Sequence, residues 1–318
     1  MNVKISFLMP AYNNEATIGK SIDSILSQKT SRIFEIIVVD DGSTDSTFQI
    51  AQEFLKKHSN ITVIKKQNGG EASALNEGLK YCRGHFIALV EADVEIEEIW
   101  IEKSIKQFTD KDIAGVGGRL VTPQSSSWIA RIAGYEVEGK FETKGKYTRH
   151  ITSANALYRA EIFKEIGNFN EHFVNAVLDS DFNRRVTEKG YKLIYVKDAV
   201  AFHHFKPTFK GYLKRQYAYA RYRVHERIAL YPADRFLAGN VLICGLSVLS
   251  LVLLPWHVWL PVLLLSLAIL LQIPATIRLW KDKKDPILSL YPFIIVLRNV
   301  VGMVGYGIGI INKGLKRY

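Results

Sequence analysis

EIIVVDDGSTDST, residues 35–47, runs from a short, nearly all-aliphatic segment into two adjacent carboxylates and then into small polar residues around a glycine. A run such as Glu35–Val39 is what a parallel sheet buries on both faces, and a helix over about 46–57 follows it. The pattern repeats outward from this point. Lys4–Met9 reads as a strand and Ile18–Leu26 as a helix with Ile18, Ile22, Ile25 and Leu26 on one side; a strand at 61–64, a helix at 71–80 and a strand at 86–90 come next. This βαβαβαβ series predicts an α/β fold with a mostly parallel sheet flanked by helices, and right-handed crossovers put the strands' C-terminal ends along one rim. Pro10 to Glu15, Asp40 to Asp45, Asn68 to Glu71 and Glu91 to Asp93 are therefore expected to share a cleft.

Further along, Ile99–Phe108 reads as a helix and Ala114–Val121 as one strand or a pair of short ones among Gly115, Gly117 and Gly118. Between 122 and 150 no clean period survives, so an irregular region packing over the cleft is expected. Order returns with Ala156–Arg159, a helix at 161–166, a helix that Asp179 can cap and that stops at Gly190, and a strand Lys192–Val196.

The 318 residues carry a net charge of +11, and the mean hydropathy of +0.03 averages two unlike parts. Phe236 to Ile277 contain no Asp, Glu, Lys or Arg. Phe236–Leu254 and Val258–Ile273 read as a transmembrane hairpin broken at Pro255, Trp256 and His257. Before it, eight Lys and Arg between Lys206 and Arg235 face only Glu226 and Asp234, a basic collar suited to anionic lipid headgroups. No recognised nucleic-acid-reading module accompanies the charge, so nucleic acid is not an expected partner. Arg298 and Asn299 interrupt residues 287–311, and a third span there would place the basic tail NKGLKRY outside. An interfacial or re-entrant segment is therefore preferred to a span. The domains expected are a catalytic part over 1–225, a basic juxtamembrane segment over 206–235, the hairpin over 236–277 and the 287–311 segment. The first residues lack a basic start followed by an apolar run, so the expectation is a multi-pass protein of the cell membrane with its catalytic part in the cytoplasm. Cys82 and Cys244 are too few and too separated for a disulfide framework or a zinc cluster.

The acidic residues carry the chemistry. Asp40 and Asp41 at a strand end are costly beside a sheet core unless they accept hydrogen bonds from a ligand, a metal or the helix start; otherwise Ser43 or Asp45 caps the next helix and the pair faces water. Glu91 and Asp93, separated by the small Ala92, suit a divalent cation that neutralises a leaving diphosphate, or else merely flank the next helix. Asp179 and Asp181 are two apart and diverge on a helix, so they do not act as a pair, and Asp179 is placed to serve as a general base or as an N-cap. His203 and His204 are surface residues or approach the cation from the far side. A P-loop, serine elbow or HExxH motif is absent from the sequence.

Six ordered segments resemble the inverting, nucleotide-sugar-dependent family 2 glycosyltransferases of the GT-A fold, in their membrane-attached branch. They are PAYNNEATIGKSIDSILSQ at 10–28, IIVVDDGSTDST at 36–47, NGGEASALNEGL at 68–79, EAD at 91–93, TSANALYRAEIFKEIGNFNE at 152–171 and DSDFNRRVTEKGY at 179–191. The resemblance covers about residues 3–225. It implies a UDP- or GDP-sugar donor, with Pro10, Tyr12, Glu15 and Asp40 or Asp41 at the base and ribose, and Asn68, Arg83 and Ala92 continuing toward the sugar-diphosphate. Glu91 and Asp93 match the metal-binding Asp-X-Asp motif for Mn²⁺ or Mg²⁺, with His204 (or His203) as a further contact, and Asp179 matches the catalytic base. The implied acceptor is lipid-linked or a membrane-proximal glycan. Three positions depart from the pattern. Glu91 stands where Asp is usual, Leu178 replaces the acid before the base, and Glu71 stands where Lys or a small residue is common. In place of the Gln-X-X-Arg-Trp motif of processive relatives there is only KRQYAYARY at 214–222, which implies one sugar per encounter.

Overall fold

The computed structural model describes residues 4–138, 146–173, 177–205, 208–226, 245–246 and 259–314. The chain divides into two compact units, one built from residues up to 126 and from 136–206, the other from 127–135 and 207–318. The expected span Phe236–Leu254 lies almost wholly outside the described residues.

In the first unit, β1 (Lys4–Ala11), α1 (Ile18–Leu26), β2 (Ile33–Asp40), α2 (Thr47–Lys57), β3 (Ile61–Lys65), α3 (Glu71–Leu79) and β4 (Phe86–Val90) follow the expected order. Strands β3, β2, β1 and β4 are neighbours and parallel, so their C-terminal ends form one rim. Ile36 to Val39 are at most 1% exposed, which is why this run carries no polar residue. The next elements are β5 (Val94–Ile96), α4 (Trp100–Ile105) and β6 (Ile113–Val121). Then come α5 (Trp128–Glu138), β7 (Tyr147–Thr148), β8 (Asn155–Arg159), α6 (Ala160–Ile166), α7 (Leu178–Glu188) and β9 (Lys192–His203).

From β4 onward the sheet is mixed. β8 lies antiparallel to both β4 and β6, β6 and β9 are parallel, and β5 closes the far edge antiparallel to β9. The β6 glycines make room for a neighbouring segment. A Cβ on Gly117 would sit 2.5 Å from the Ile151 side chain, so only glycine lets the 150–153 segment lie across this strand. Strand β6 is continuous, with register shifts beside Gly115 and Gly118, rather than a pair of short strands. The region expected to be irregular contains helix α5, whose buried Ile129, Ile132 and Tyr135 follow a helical spacing.

In the second unit α5 packs with α8 (Phe209–Glu226), α9 (Trp259–Leu270), α10 (Ile273–Lys283), a 3-10 turn at Pro286–Leu290 and α11 (Tyr291–Gly314). Its core joins Ile129, Ile132 and Tyr135 of α5 to Tyr212, Leu288 and Tyr291. Asp285, nearly fully buried, caps the 3-10 turn and accepts a 2.6 Å hydrogen bond from the Tyr135 hydroxyl, with Arg131 at 3.4 Å. Trp259–Lys283 and Pro286–Gly314 are long and apolar enough to cross a membrane.

Candidate functional site

The loops after β1 and β2 are stitched to each other. The amides of Asn13, Asn14 and Glu15 donate to Ser43 Oγ, Thr47 Oγ1 and Asp45 Oδ2, and those of Thr44 and Ser46 donate back to Asn13 Oδ1 and Glu15 Oε2. Glu15 thus serves to fix the rim, while Tyr12 stands half exposed above it. Asp40 and Asp41 have separate roles. Asp41 accepts from Lys66 Nζ at 2.7 Å and from the amides of Gly69 and Gly70, and Asn68 Nδ2 donates to its carbonyl. It therefore organises the 66–70 turn at the start of α3. That turn presses so close to Gly42, whose φ is +75°, that a Cβ there would meet the Asn68 amide at 2.9 Å. Asp40 is fully buried; its Oδ2 accepts from the Ser43 amide at 3.2 Å, while its Oδ1 has no hydrogen-bond partner among the described residues. A buried carboxylate oxygen without a donor is costly, so Asp40 rather than Asp41 has capacity left for a ligand.

After β4 the chain turns through Glu91, Ala92 and Asp93 into β5. Pairing of Val94 with His203 brings the end of β9 alongside, and the His204 amide donates to the Asp93 carbonyl at 2.8 Å. Glu91, Asp93 and His203 each offer a donor atom, all within 4.8 Å of one another. His203 Nε2 is 3.3 Å from Asp93 Oδ1 and 3.8 Å from Glu91 Oε2, and the imidazole stacks on Phe205. His203, not His204, is the histidine of this cluster; His204 pairs instead with Glu95. Two carboxylates and an imidazole suit Mn²⁺ better than Mg²⁺, which takes oxygen ligands. The Ala92 side chain is packed in the core, leaving only its backbone for a ligand.

Asp179 lies in the first turn of α7, behind Val177, which forms the N-cap in a left-handed conformation with φ +57° that a β-branched residue rarely adopts. No side-chain cap bond forms, so Asp179 is not spent as an N-cap. Its Oδ1 accepts from the Ser180 amide and its Oδ2 is 3.4 Å from Nε2 of buried His150. Asp181 diverges from it as expected, held by Arg184 and Arg185 at 2.9 Å each, and Arg185 also ties down the carbonyls of Ile166 and Asn168.

The segment 150–153 runs between Asp179 and the Glu91–Asp93–His203 cluster. His150 meets Asp179 at one end, and Ser153 Oγ lies 3.4 Å from Glu91 and 3.3 Å from Glu71 at the other. Asn183 Nδ2 donates to the Ile151 carbonyl and Asn183 Oδ1 accepts from Tyr158. Burial, and secondarily the Asp179 charge, pushes the Tyr158 phenol well above its usual range. His150 lies in no motif whose spacing carries chemistry, and Ser153, although inside the 152–171 segment, has a place in the site that its spacing alone does not reveal.

Arg83 is a correction. It precedes β4, and its amide donates to Glu35 Oε1 and Ser6 Oγ near the N-terminal ends of β2 and β1. A five-residue parallel strand separates it from the rim by ~15 Å, so it takes no part in the cleft. Glu35 there is pushed up by burial but pulled down further, to a net lowered pKa, by Ser6, the Arg83 amide and Lys4.

A buried, mostly parallel sheet that gathers a partly unsatisfied carboxylate, a metal-capable triad and a histidine-paired aspartate is an α/β ligand-transforming architecture. The chain belongs to glycosyl transferase family 2, whose model matches residues 6–167, and it has that family's nucleotide-sugar-dependent transferase activity. It is similar to glycosyltransferase AglE of Haloferax volcanii, at 25% identity over 77% of this chain and 80% of that one. It is also similar to a dolichyl N-acetyl-alpha-D-glucosaminyl phosphate 3-beta-D-2,3-diacetamido-2,3-dideoxy-beta-D-glucuronosyltransferase of Methanococcus voltae, at 24% identity over 97% of each. Among solved structures, a mannosyltransferase of Pyrobaculum calidifontis, in complex with GDP-Man and Mn²⁺, shares the fold with a TM-score of 0.65 at 19% identity, over 96% of this chain and 87% of that one.

Proposed function

We propose that this chain is a membrane-attached inverting glycosyltransferase of GT-A type that moves one sugar per encounter from a UDP- or GDP-sugar to a lipid-linked or membrane-proximal glycan acceptor. The observation that carries the reading is the linkage of two chemical groups by one segment: the Glu91–Asp93–His203 cluster through Ser153, and Asp179 through His150. Asp40, with Pro10, Tyr12, Glu15 and Asn68 around it, lines the nucleotide end, and Asp41 shapes the turn that carries Asn68. The fit of the donor set favours Mn²⁺, held by Glu91, Asp93 and His203, which when bound would offset the negative charge of the departing nucleoside diphosphate. Asp179 accepts the proton of the attacking acceptor hydroxyl as that oxygen approaches the anomeric carbon from the face opposite the leaving group. His150 holds the carboxylate of Asp179 in place; for an acceptor that is already a phosphate anion, Asp179 positions rather than deprotonates.

A lipid-linked acceptor is favoured by the two membrane-length apolar helices and by the similarity to a relative named for a dolichyl-phosphate-linked acceptor. The cytoplasm is the expected side for the catalytic unit. The test is to incubate detergent-purified protein, Mn²⁺ and native lipid extract with a panel of UDP- and GDP-sugars and to follow nucleoside diphosphate release and glycolipid product. Extract-dependent release with one donor and a single added sugar is expected; long polymers refute the one-sugar reading. Folded, donor-binding protein that releases nothing with any extract refutes the acceptor class.

A further inference from the structure

We infer that Glu71 determines specificity for the donor sugar: its carboxylate accepts hydrogen bonds from the hydroxyls of an uncharged hexose or N-acetylhexosamine and repels a uronate. This rests on the nucleotide-sugar reading above and narrows the substrate class of that same site.

The first observation is where Glu71 stands. Helix α3 follows the parallel strand β3, so its first turn lies at the C-terminal rim. On one side Glu71 continues the 66–70 turn that Asp41 organises, next to Asp40 at the end of β2. On the other side its Oε1 lies 3.3 Å from Ser153 Oγ, and the same hydroxyl is 3.4 Å from Oε1 of Glu91. Glu71 thus connects the nucleotide end to the metal-capable cluster, the interval that the sugar-diphosphate of a donor must cross. Ser153 is buried, and its single hydroxyl proton serves only one of the two carboxylates at a time. Glu91 belongs to the group of three possible metal ligands with Asp93 and His203, whereas Glu71 stands outside it. A cation held by that group therefore leaves the Glu71 carboxylate to act on its surroundings as a negative charge.

The second observation is that the start of α3 does not suit a phosphate. A helix N-terminus attracts an anion through its amides and its dipole. Here the amides of Gly69 and Gly70 already donate to Asp41, and the first helical residue is itself an acid, which the dipole stabilises in place of a ligand anion. A diphosphate is therefore repelled from this end and drawn to the metal-capable cluster. The uncharged part of the donor, its sugar, is what a carboxylate here can hold. Sugar hydroxyls donate to an ionised acceptor in strong, short hydrogen bonds. A carboxylate at C6 of that sugar would instead bring two like charges together.

The experiment uses the full detergent-purified chain with Mn²⁺ and donors paired so that they differ only in oxidation at C6: UDP-glucose and UDP-glucuronate, UDP-galactose and UDP-galacturonate, UDP-N-acetylglucosamine and its uronate, GDP-mannose and GDP-mannuronate. Calorimetry gives donor affinity, and UDP and GDP alone serve as probes that lack the sugar. The neutral member of the pair that the protein binds should be preferred by about tenfold or more. Glu71→Gln should reduce that preference by about tenfold, weakening the neutral donor and admitting the uronate, with melting temperature and nucleoside diphosphate affinity unchanged. Glu71→Asp keeps the charge and should keep the exclusion of the uronate. An unaltered neutral-to-uronate ratio in Glu71→Gln overturns the inference and leaves Glu71 as a helix-start residue. A wild-type preference for the uronate also overturns it, as does nucleoside diphosphate affinity that changes in step with donor affinity, which makes Glu71 part of the diphosphate site. Folded protein that binds neither the nucleoside diphosphates nor any donor refutes the nucleotide-sugar reading underneath.

Discussion

Asp179→Asn isolates the proposed proton acceptor with little other disturbance. The substitution is isosteric, Asn Oδ1 can still accept from the Ser180 amide, and the His150 contact at 3.4 Å is long and made by a side chain 22% exposed. Its loss should cost folding stability no more than ~1 kcal/mol. A positioned general base contributes ~10²–10⁴-fold to rate, or about 3–5 kcal/mol of transition-state stabilisation. Turnover with a hydroxyl acceptor should thus fall by about two to four orders of magnitude, while donor affinity and melting temperature stay near wild type. The assay is steady-state nucleoside diphosphate release at saturating donor, paired with calorimetric titration of the donor in Mn²⁺. A kcat within about threefold of wild type would remove Asp179 from the base role. Donor affinity falling in step with kcat would make it a donor ligand instead.

His150→Phe should lower kcat by roughly tenfold without raising the donor KM, and His150→Gln should restore part of it by returning a donor near the Nε2 position, as measured by the same release assay. Asp93→Ala and His203→Ala should each weaken Mn²⁺-dependent donor binding by about tenfold or more, with His204→Ala much milder; calorimetry with and without Mn²⁺ separates them. Asp41→Ala should destabilise the fold by about 3 kcal/mol by stranding Lys66 and the Gly69 and Gly70 amides, whereas Asp40→Asn should spare the melting temperature and reduce donor affinity. Glu35 has a lowered folded-state pKa, so its contribution is present above the unfolded-state value and is lost as pH falls through the folded one. Glu35→Gln should therefore lower the neutral-pH melting temperature, with the gap closing in acid and donor binding unchanged. Burial raises the Cys82 thiol to about 12, so iodoacetamide at pH 8 should leave it unlabelled until the protein unfolds.

Most of the first half of the fold was legible because parallel strands buried on both faces write themselves as aliphatic runs, as at Ile36–Val39, and their helices show period and caps. Arg83 was misplaced although the information was present: a residue just before a parallel strand sits at the end opposite the ligand rim. Helix α5 was missed because a short helix containing Gly134 gives a faint period, and β5 because three residues give none. For the 287–311 segment, the polar residues Arg298 and Asn299 favoured an interfacial position, while its unbroken 24-residue helix and its pairing with α8 appear only in three dimensions.

The sequence by itself determined the order of strands and helices, the loops that meet at the rim and the acidic residues available there, because these depend on local periodicity and strand direction. Only the tertiary structure decided that Asp41 is consumed by the turn at 66–70 while Asp40 keeps an oxygen with no hydrogen-bond partner among the described residues, that His203 rather than His204 joins Glu91 and Asp93, and that His150 stands beside Asp179. Each of those outcomes depends on where a side chain points after strands or loops many residues apart have paired, and a shift of one residue in β9 against β5 would exchange the two histidines.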